Sequence, residues 1–258
     1  MKNLFILWKK EMIENGQNGK WIWLPIAITL IGISQPITSY YMPQIIEMAG
    51  NLPEGASIVL PTPSGGEVLA GTLSQIGTVG TLLFVLAIMG VISNERANGS
   101  ITMVMVRPVT PLQYVASKWI GQLLITLTSF LLSYFLTWYY TNLLFSSVSW
   151  QAALGSFAIY SLWIVLIVSF SIWMGTLLKG NGAIAAVSIS FLGILSLLTS
   201  LFPRFMKWSP GNLREHATVL LIEQPAQDHL VLTLVVTILL CSLFFGLAVT
   251  SFKRLERF

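Results

Sequence analysis

Six apolar runs, each about as long as a bilayer is thick, constrain this chain more than any motif in it. A helix needs about 20 mostly apolar residues to cross the hydrocarbon core. The runs at 21–40, 72–93, 119–145, 157–178, 182–202 and 230–252 meet that length. They are continuous, whereas barrel strands would read as alternating segments of about 10 residues. The expected fold is an all-α integral membrane protein, multi-pass, with one transmembrane domain over residues 1–258 and six transmembrane helices. Composition agrees. Only 9% of residues are charged, against about 25% in a soluble domain, and the mean hydropathy is +0.77. So little charge could not solvate a globular surface. The net charge of +4 implies no nucleic-acid partner, because the basic residues gather at span ends.

Those basic residues set the expected orientation, since cytoplasmic loops carry an excess of Lys and Arg. With the N-terminus inside, the inner segments hold Lys2, Lys9, Lys10, Lys20, Arg96, Arg107, Lys118, Lys179, Lys253, Arg254 and Arg257. The outer segments hold Arg204, Lys207 and Arg214, and the outer loop at 41–71 holds no Lys or Arg. Both termini are therefore expected to be cytoplasmic. No cleavable signal peptide is expected, because LFILW is shorter than a signal core of about 7–15 residues.

No Asp, Glu, Lys, Arg or His lies in the middle of any of the six runs. Ion-driven transporters commonly bury such groups to bind the coupling ion, so the energy for any transport must enter from outside the bilayer. Covalent chemistry is not legible either. There is no phosphate-binding Gly-x4-Gly-Lys-Ser/Thr loop, no His-Glu-x2-His and no Gly-x-Ser-x-Gly. No catalytic, cofactor-binding or metal-binding residue is assigned in this chain. Cys241, the one cysteine, reads as a packing residue.

Outside the spans, residues 2–14 read as an interfacial amphipathic helix. Leu4, Phe5, Trp8 and Met12 share one face by helical spacing, with Lys10 and Glu14 opposite. A plain leader before the first span is the alternative. The loop at 41–71 is rich in Pro and Gly, with a short helix possible from Pro43; it reads as a cap over helix ends or as a substrate gate. Pro25 and Pro36 are candidates to kink the first span. The outer loop at 203–229 contains His216 and His229 among carboxylates, but at no metal-ligand spacing. It is expected to be a solvated loop.

The remaining polar segment, 94–118, is placed inside by this topology. It holds Glu95 and Arg96, then Gly99 and Ser100, an apolar stretch at 101–106 with Ile101, Val104 and Met105, then Pro108, Val109 and Thr110, and finally Lys118. This order resembles the cytoplasmic loop after the second span in ABC-2 type permeases, the membrane subunits of one large class of bacterial ABC transporters. The chain departs from the pattern at Ala97, Asn98, Thr102 and Pro111, where family members often carry charged residues. The resemblance extends to the N-terminal helix, the six spans and the long last outer loop.

The resemblance implies a permease in the bacterial plasma membrane, surrounded by membrane lipid. It would pair as a homodimer or heterodimer with a second six-span permease. It would be coupled to a separate ABC ATPase subunit that carries ATP and Mg, and would export an amphipathic substrate. It further implies that 94–118 and the N-terminal helix form the ATPase-facing surface. Glu95 and Arg96 would supply polar contacts at or near it, Gly99 the turn, and Ile101, Val104 and Met105 would pack against the partner or their own helix base. A membrane sensor or immunity protein that sequesters a toxin is the alternative from another class.

Overall fold

The computed structural model describes residues 2–49, 62–106, 109–222 and 229–255. Its elements are α1 (Lys2–Gln17), α2 (Lys20–Ala49), α3 (Gly65–Gln75), a π turn (Ile76–Gly80), α4 (Thr81–Ile88), α5 (Gly90–Ala97), α6 (Ser100–Met105), α7 (Pro111–Leu144), α8 (Trp150–Leu177), α9 (Asn181–Leu201), α10 (Asn212–Leu221) and α11 (Leu230–Leu255). α3 to α5 run on as one rod, Gly65–Ala97, and with α2, α7, α8, α9 and α11 make six helices long and apolar enough to cross a membrane. Helices satisfy every backbone N–H and C=O within the segment, which hydrocarbon requires.

α8 and the Gly65–Ala97 rod sit at the centre, with most of their apolar windows buried, whereas α2, α9 and α11 are peripheral. α8 buries Trp163, Ile164, Leu166, Ile167 and Val168. α2 lies against α7, and Gly32 permits the approach. A Cβ there would come 2.6 Å from both Ser133 Oγ and Thr137 Oγ1. Ser133 Oγ also donates to Ile28 O at 2.8 Å. Small residues at helix crossings are the usual means of close packing in lipid.

Helix ends differ from the hydropathy reading, for local reasons. α2 continues to Ala49 through Pro25, Pro36 and Pro43, because each proline removes a single backbone bond. The second span starts at Gly65 rather than 72: Ser64 and Glu67 form a reciprocal capping box, which satisfies two free ends of the helix. Thr110 and Gln113 do the same for α7, with Pro111 in its first turn, so that helix begins well before 119. Ser149 caps α8.

The segment at 203–229 is an exposed turn over 203–208 but not a solvated loop from 209 to 221. Leu213, His216, Ala217 and Leu221 bury one stripe of α10 against α8 and α3. Measured from Leu213 they stand three, four and eight residues on, which is one helical face. A helix this short cannot span the membrane, so it packs on the end of the bundle opposite α1, called here the far end. Glu223 and Asp228 lie outside the described residues.

His216 gives this packing a pH dependence. It is 4% exposed, and burial lowers its pKa from 6.5, while Glu215 pulls it up and His229 pushes it down. The folded state thus takes a proton less readily than the unfolded state. The associated stability is present above about pH 6.5 and is lost as pH falls. Between about pH 7.5 and about pH 5.5 the His216→Gln variant is expected to lose less stability than the parent protein. The difference should be no more than about 1.4 kcal/mol per pH unit, measured by thermal unfolding in detergent.

Candidate functional site

α1 crosses the start of α7, and the crossing holds a buried cluster of charges. Glu11, Asn15, Trp8 and Leu4 recur at helical spacing along the face of α1 turned to the bundle. Glu11 is 3% exposed, Glu95 4% and Lys118 1%. Lys118 Nζ lies 2.7 Å from Glu11 Oε1 and 2.8 Å from Glu95 Oε1. Lys10 adds an ion pair to Glu95 and reaches Glu14 at 3.4 Å. Tyr114 donates its hydroxyl to Glu95 Oε2 at 2.5 Å and stacks on Phe252 of α11 at 4.6 Å. One turn further along α7, Gln122 Nε2 donates to Asn15 Oδ1 at 3.2 Å. Glu95 therefore joins α1, α5 and α7, with α11 behind Tyr114.

Such a cluster persists only because its charges are matched, since an unpaired buried charge is expensive. Burial raises the Glu11 pKa, and Lys118 opposes it. Burial acts to lower the Lys10 pKa, but the Glu95 hydrogen bond and the charges of Glu95, Glu11 and Glu14 outweigh it, so the net shift is upward. Glu11, Glu14 and Glu95 bring oxygens within 4.8 Å of one another. Lys10 pairs with Glu14 and Glu95, and Lys118 with Glu11 and Glu95, so each of these carboxylates has a cationic partner.

Arg96 points the other way, as adjacent residues on a helix must at about 100° per residue. It donates to Leu178 O and Thr176 O, each at 2.9 Å, at the C-terminal end of α8, where carbonyls lack helical partners. Ser93 donates to Asn181 Oδ1, and Asn181 Nδ2 donates to Asn94 Oδ1 at 2.9 Å. The end of the second span is thus tied to α1 and α7 on one side and to the α8–α9 turn on the other.

Gly99 has φ +70, which a residue with a Cβ rarely adopts, and it starts α6. Ile101 is buried, and Val104 and Met105 are partly buried against the protein's own core. The apolar side chains that face outward are Met103 at 78% and Val106 at 84% exposed. Ser100 lines a cleft of about 510 Å³ with Ile6, Ile13, Asn94 and Asn98. A neighbouring groove of about 390 Å³ runs between α1 and α6, lined by Ile6, Leu7, Lys10, Met103 and Val109. On α1, Leu4, Trp8 and Met12 are half-buried, whereas Phe5 is exposed beside Trp8, ring centres 5.5 Å apart. Pro108 lies outside the described residues.

Glu95 is a buried junction, its carboxylate enclosed by Lys118, Lys10 and Tyr114. Arg96 likewise bonds to its own α8. Sequence reasoning missed Glu11, although a signal was present: it stands three residues after Trp8 and seven after Leu4. A carboxylate on the apolar stripe of a helix implies a buried partner.

Comparison with known proteins agrees with this architecture. The profile of the family described as ABC-2 family transporter protein matches residues 68–253, from α3 into the last turns of α11. The chain is also 39% identical over 258 residues, the whole of both chains, to a protein of Bacillus subtilis (strain 168) described as the uncharacterized transmembrane protein YxlG. With most of its length inside that profile and its six spans formed, the chain belongs to the ABC-2 family of transporter proteins and is a multi-pass membrane protein.

Proposed function

We propose that this chain is the permease subunit of an ATP-driven ABC transporter. ATP and its Mg ion are bound and hydrolysed on a separate ATPase chain. Two six-span permeases, identical or sister chains, form the pathway. The assembly exports an amphipathic substrate: a peptide antibiotic, a lipid-like molecule or a drug. The α1 end and both termini face the cytoplasm, in keeping with the bias of Lys and Arg toward that side.

The observation that carries this reading is the exposed apolar surface beside two clefts at the α1 end. Ile6 and Ile13 are exposed on a cleft whose buried edge is Glu95, Met103 is exposed on the neighbouring groove, and Val106 is exposed three residues further on. Exposed apolar side chains grouped beside a polar cleft mark an interaction surface. A push on α1 or α6 reaches α7 through Glu95 and Lys118, α8 through Arg96 and α9 through Asn181. The residues that meet the partner are then Met103 and Val106, while Glu95 and Arg96 transmit.

The test is a pull-down of the tagged protein in mild detergent, with Met103→Asp and Val106→Asp variants alongside. An ATPase chain with a phosphate-binding loop is expected at stoichiometric yield, and each variant should weaken it about tenfold or more with the permease still folded. A well-folded parent protein that brings down no ATPase would overturn the proposal in favour of a sensor or immunity protein.

A further inference from the structure

The second span takes a π register at Ile76–Gly80, and a charge from the far end touches it there. Thr81 N–H reaches back five residues to Ile76 O, so Ile76–Gly80 is a π turn and holds one residue more than an α turn. In an α register Thr81 N–H would take Gly77 O. Here Gly77 O accepts the Thr81 hydroxyl at 2.9 Å and Arg214 Nη1 at 3.1 Å. Arg214 comes from α10, and its guanidinium lies 5.2 Å from the centre of the Trp163 ring of α8, a cation–π contact. Among the described residues its Nε has no hydrogen-bond partner. Gly77 is needed for the approach: a Cβ there would lie 2.8 Å from Nη1 and 3.1 Å from Cδ of Arg214. One turn earlier, Tyr160 donates its hydroxyl to Leu73 O at 3.1 Å. Side chains inserted into a helix ladder are a known cause of such irregularities, and turning a guanidinium into an apolar bundle is costly.

We propose that Arg214 is a positioning residue that holds the second span in its π register, and thereby links α10 at the far end to the azimuth of Glu95 and Arg96 at the α1 end. One residue of α-helix corresponds to about 100° of rotation and about 1.5 Å of rise. Closure of the π turn to an α register would turn α5 by about that angle relative to α3. Glu95 would leave Lys118 and Tyr114, and Arg96 would leave the α8 carbonyls. The rod is thus held at its π turn and at its α5 end, and withdrawal of α10 releases one of the two holds. The consequence for transport rests on the permease reading; the register lock does not.

Hydrogen exchange read by mass spectrometry on the purified full chain in detergent tests the lock without any partner. Arg214→Gln is expected to speed amide exchange across 77–85 about tenfold, and Arg214→Lys, which can still donate one bond, by less. Deleting Thr78 removes the extra residue and leaves both ends of the rod in their present azimuth. In that background Arg214→Gln is expected to change exchange by less than about twofold. Unchanged exchange in the simple Arg214→Gln variant would overturn the proposal. An equal increase in the deletion background would overturn it too, by assigning Arg214 a general packing role. Should Arg214→Gln alone fail to fold, a folded double variant supports the lock and an unfolded one refutes it. Failure to find an ATPase partner would leave this result standing.

Discussion

Lys118→Met is expected to destabilise the folded protein by about 3–5 kcal/mol, the usual cost of removing one partner from a buried charge cluster. Nζ of Lys118 is the atom common to Glu11 and Glu95, at 2.7 and 2.8 Å, and the residue is 1% exposed. Its loss leaves two buried carboxylates with Lys10 alone, on the partly exposed side. Glu95→Gln alone costs less, because Lys118 keeps Glu11. The double variant should be less damaging than the sum of the two by about 1–3 kcal/mol.

The pH dependence has a definite sign. Glu11 is a carboxyl whose folded pKa is raised, by burial against the opposing charge of Lys118. Its ionisation therefore works against folding: relative stability is fullest at low pH and is lost as pH rises through the unfolded and then the folded pKa. Without Lys118 that loss deepens. The deficit of Lys118→Met should accordingly shrink as pH is lowered toward about 4.5, whereas a pure packing defect would not. Thermal unfolding of the four proteins of this cycle at two pH values checks both statements. Additive losses that ignore pH would mean that the cluster is not an electrostatic unit.

Gly66→Val is expected to cost about 3 kcal/mol by overpacking against backbone and to strip α10 from the bundle. A Cβ at Gly66 would overlap the carbonyl oxygen of Leu221, with Ile222 Cα 3.6 Å away. No rotamer relieves a clash with main chain, and α3 is anchored in place by its capping box. The movable part is α10, which buries Leu213, Ala217 and Leu221. Limited proteolysis should then cut between α9 and α11 at rates at least about tenfold higher than in the parent. Gly193→Ala is the control. It lies in a helix with nothing within 4 Å of the added carbon, and should be neutral or gain about 0.5–1 kcal/mol. Equal effects at the two glycines would refute the close-approach argument.

The six spans were legible because hydrocarbon imposes one strong rule, about 20 apolar residues per crossing, that any window of sequence reports. Their ends were less so. Ser64, Glu67, Thr110 and Gln113 are polar, and hydropathy subtracts them, whereas in the structure they lengthen α3 and α7 as caps. α10 was hidden for the same reason: Arg214, Glu215 and His216 lower the local hydropathy, although Leu213, Ala217 and Leu221 already carry the helical stripe. Within 94–118, the resemblance to ABC-2 permeases picked out Glu95 and Arg96, and the structure makes both residues junctions. It named Ile101, Val104 and Met105, which pack wholly or partly on the protein's own core, and passed over Met103 and Val106, which are exposed.

What the sequence by itself determined is the class: a six-span, all-helical membrane protein with a polar segment between its second and third spans. That follows from the solvent, which acts on each segment separately. Only the tertiary structure decided that Glu11, Glu95 and Lys118 meet, that Arg96 grips the end of α8, and that Arg214 reaches Gly77. Those pairs are brought together by helix crossings at Gly121, where a Cβ would lie 3.3 Å from Glu11 Cβ, and at Gly77. A crossing depends on how two distant surfaces fit, and no single stretch of the chain records it.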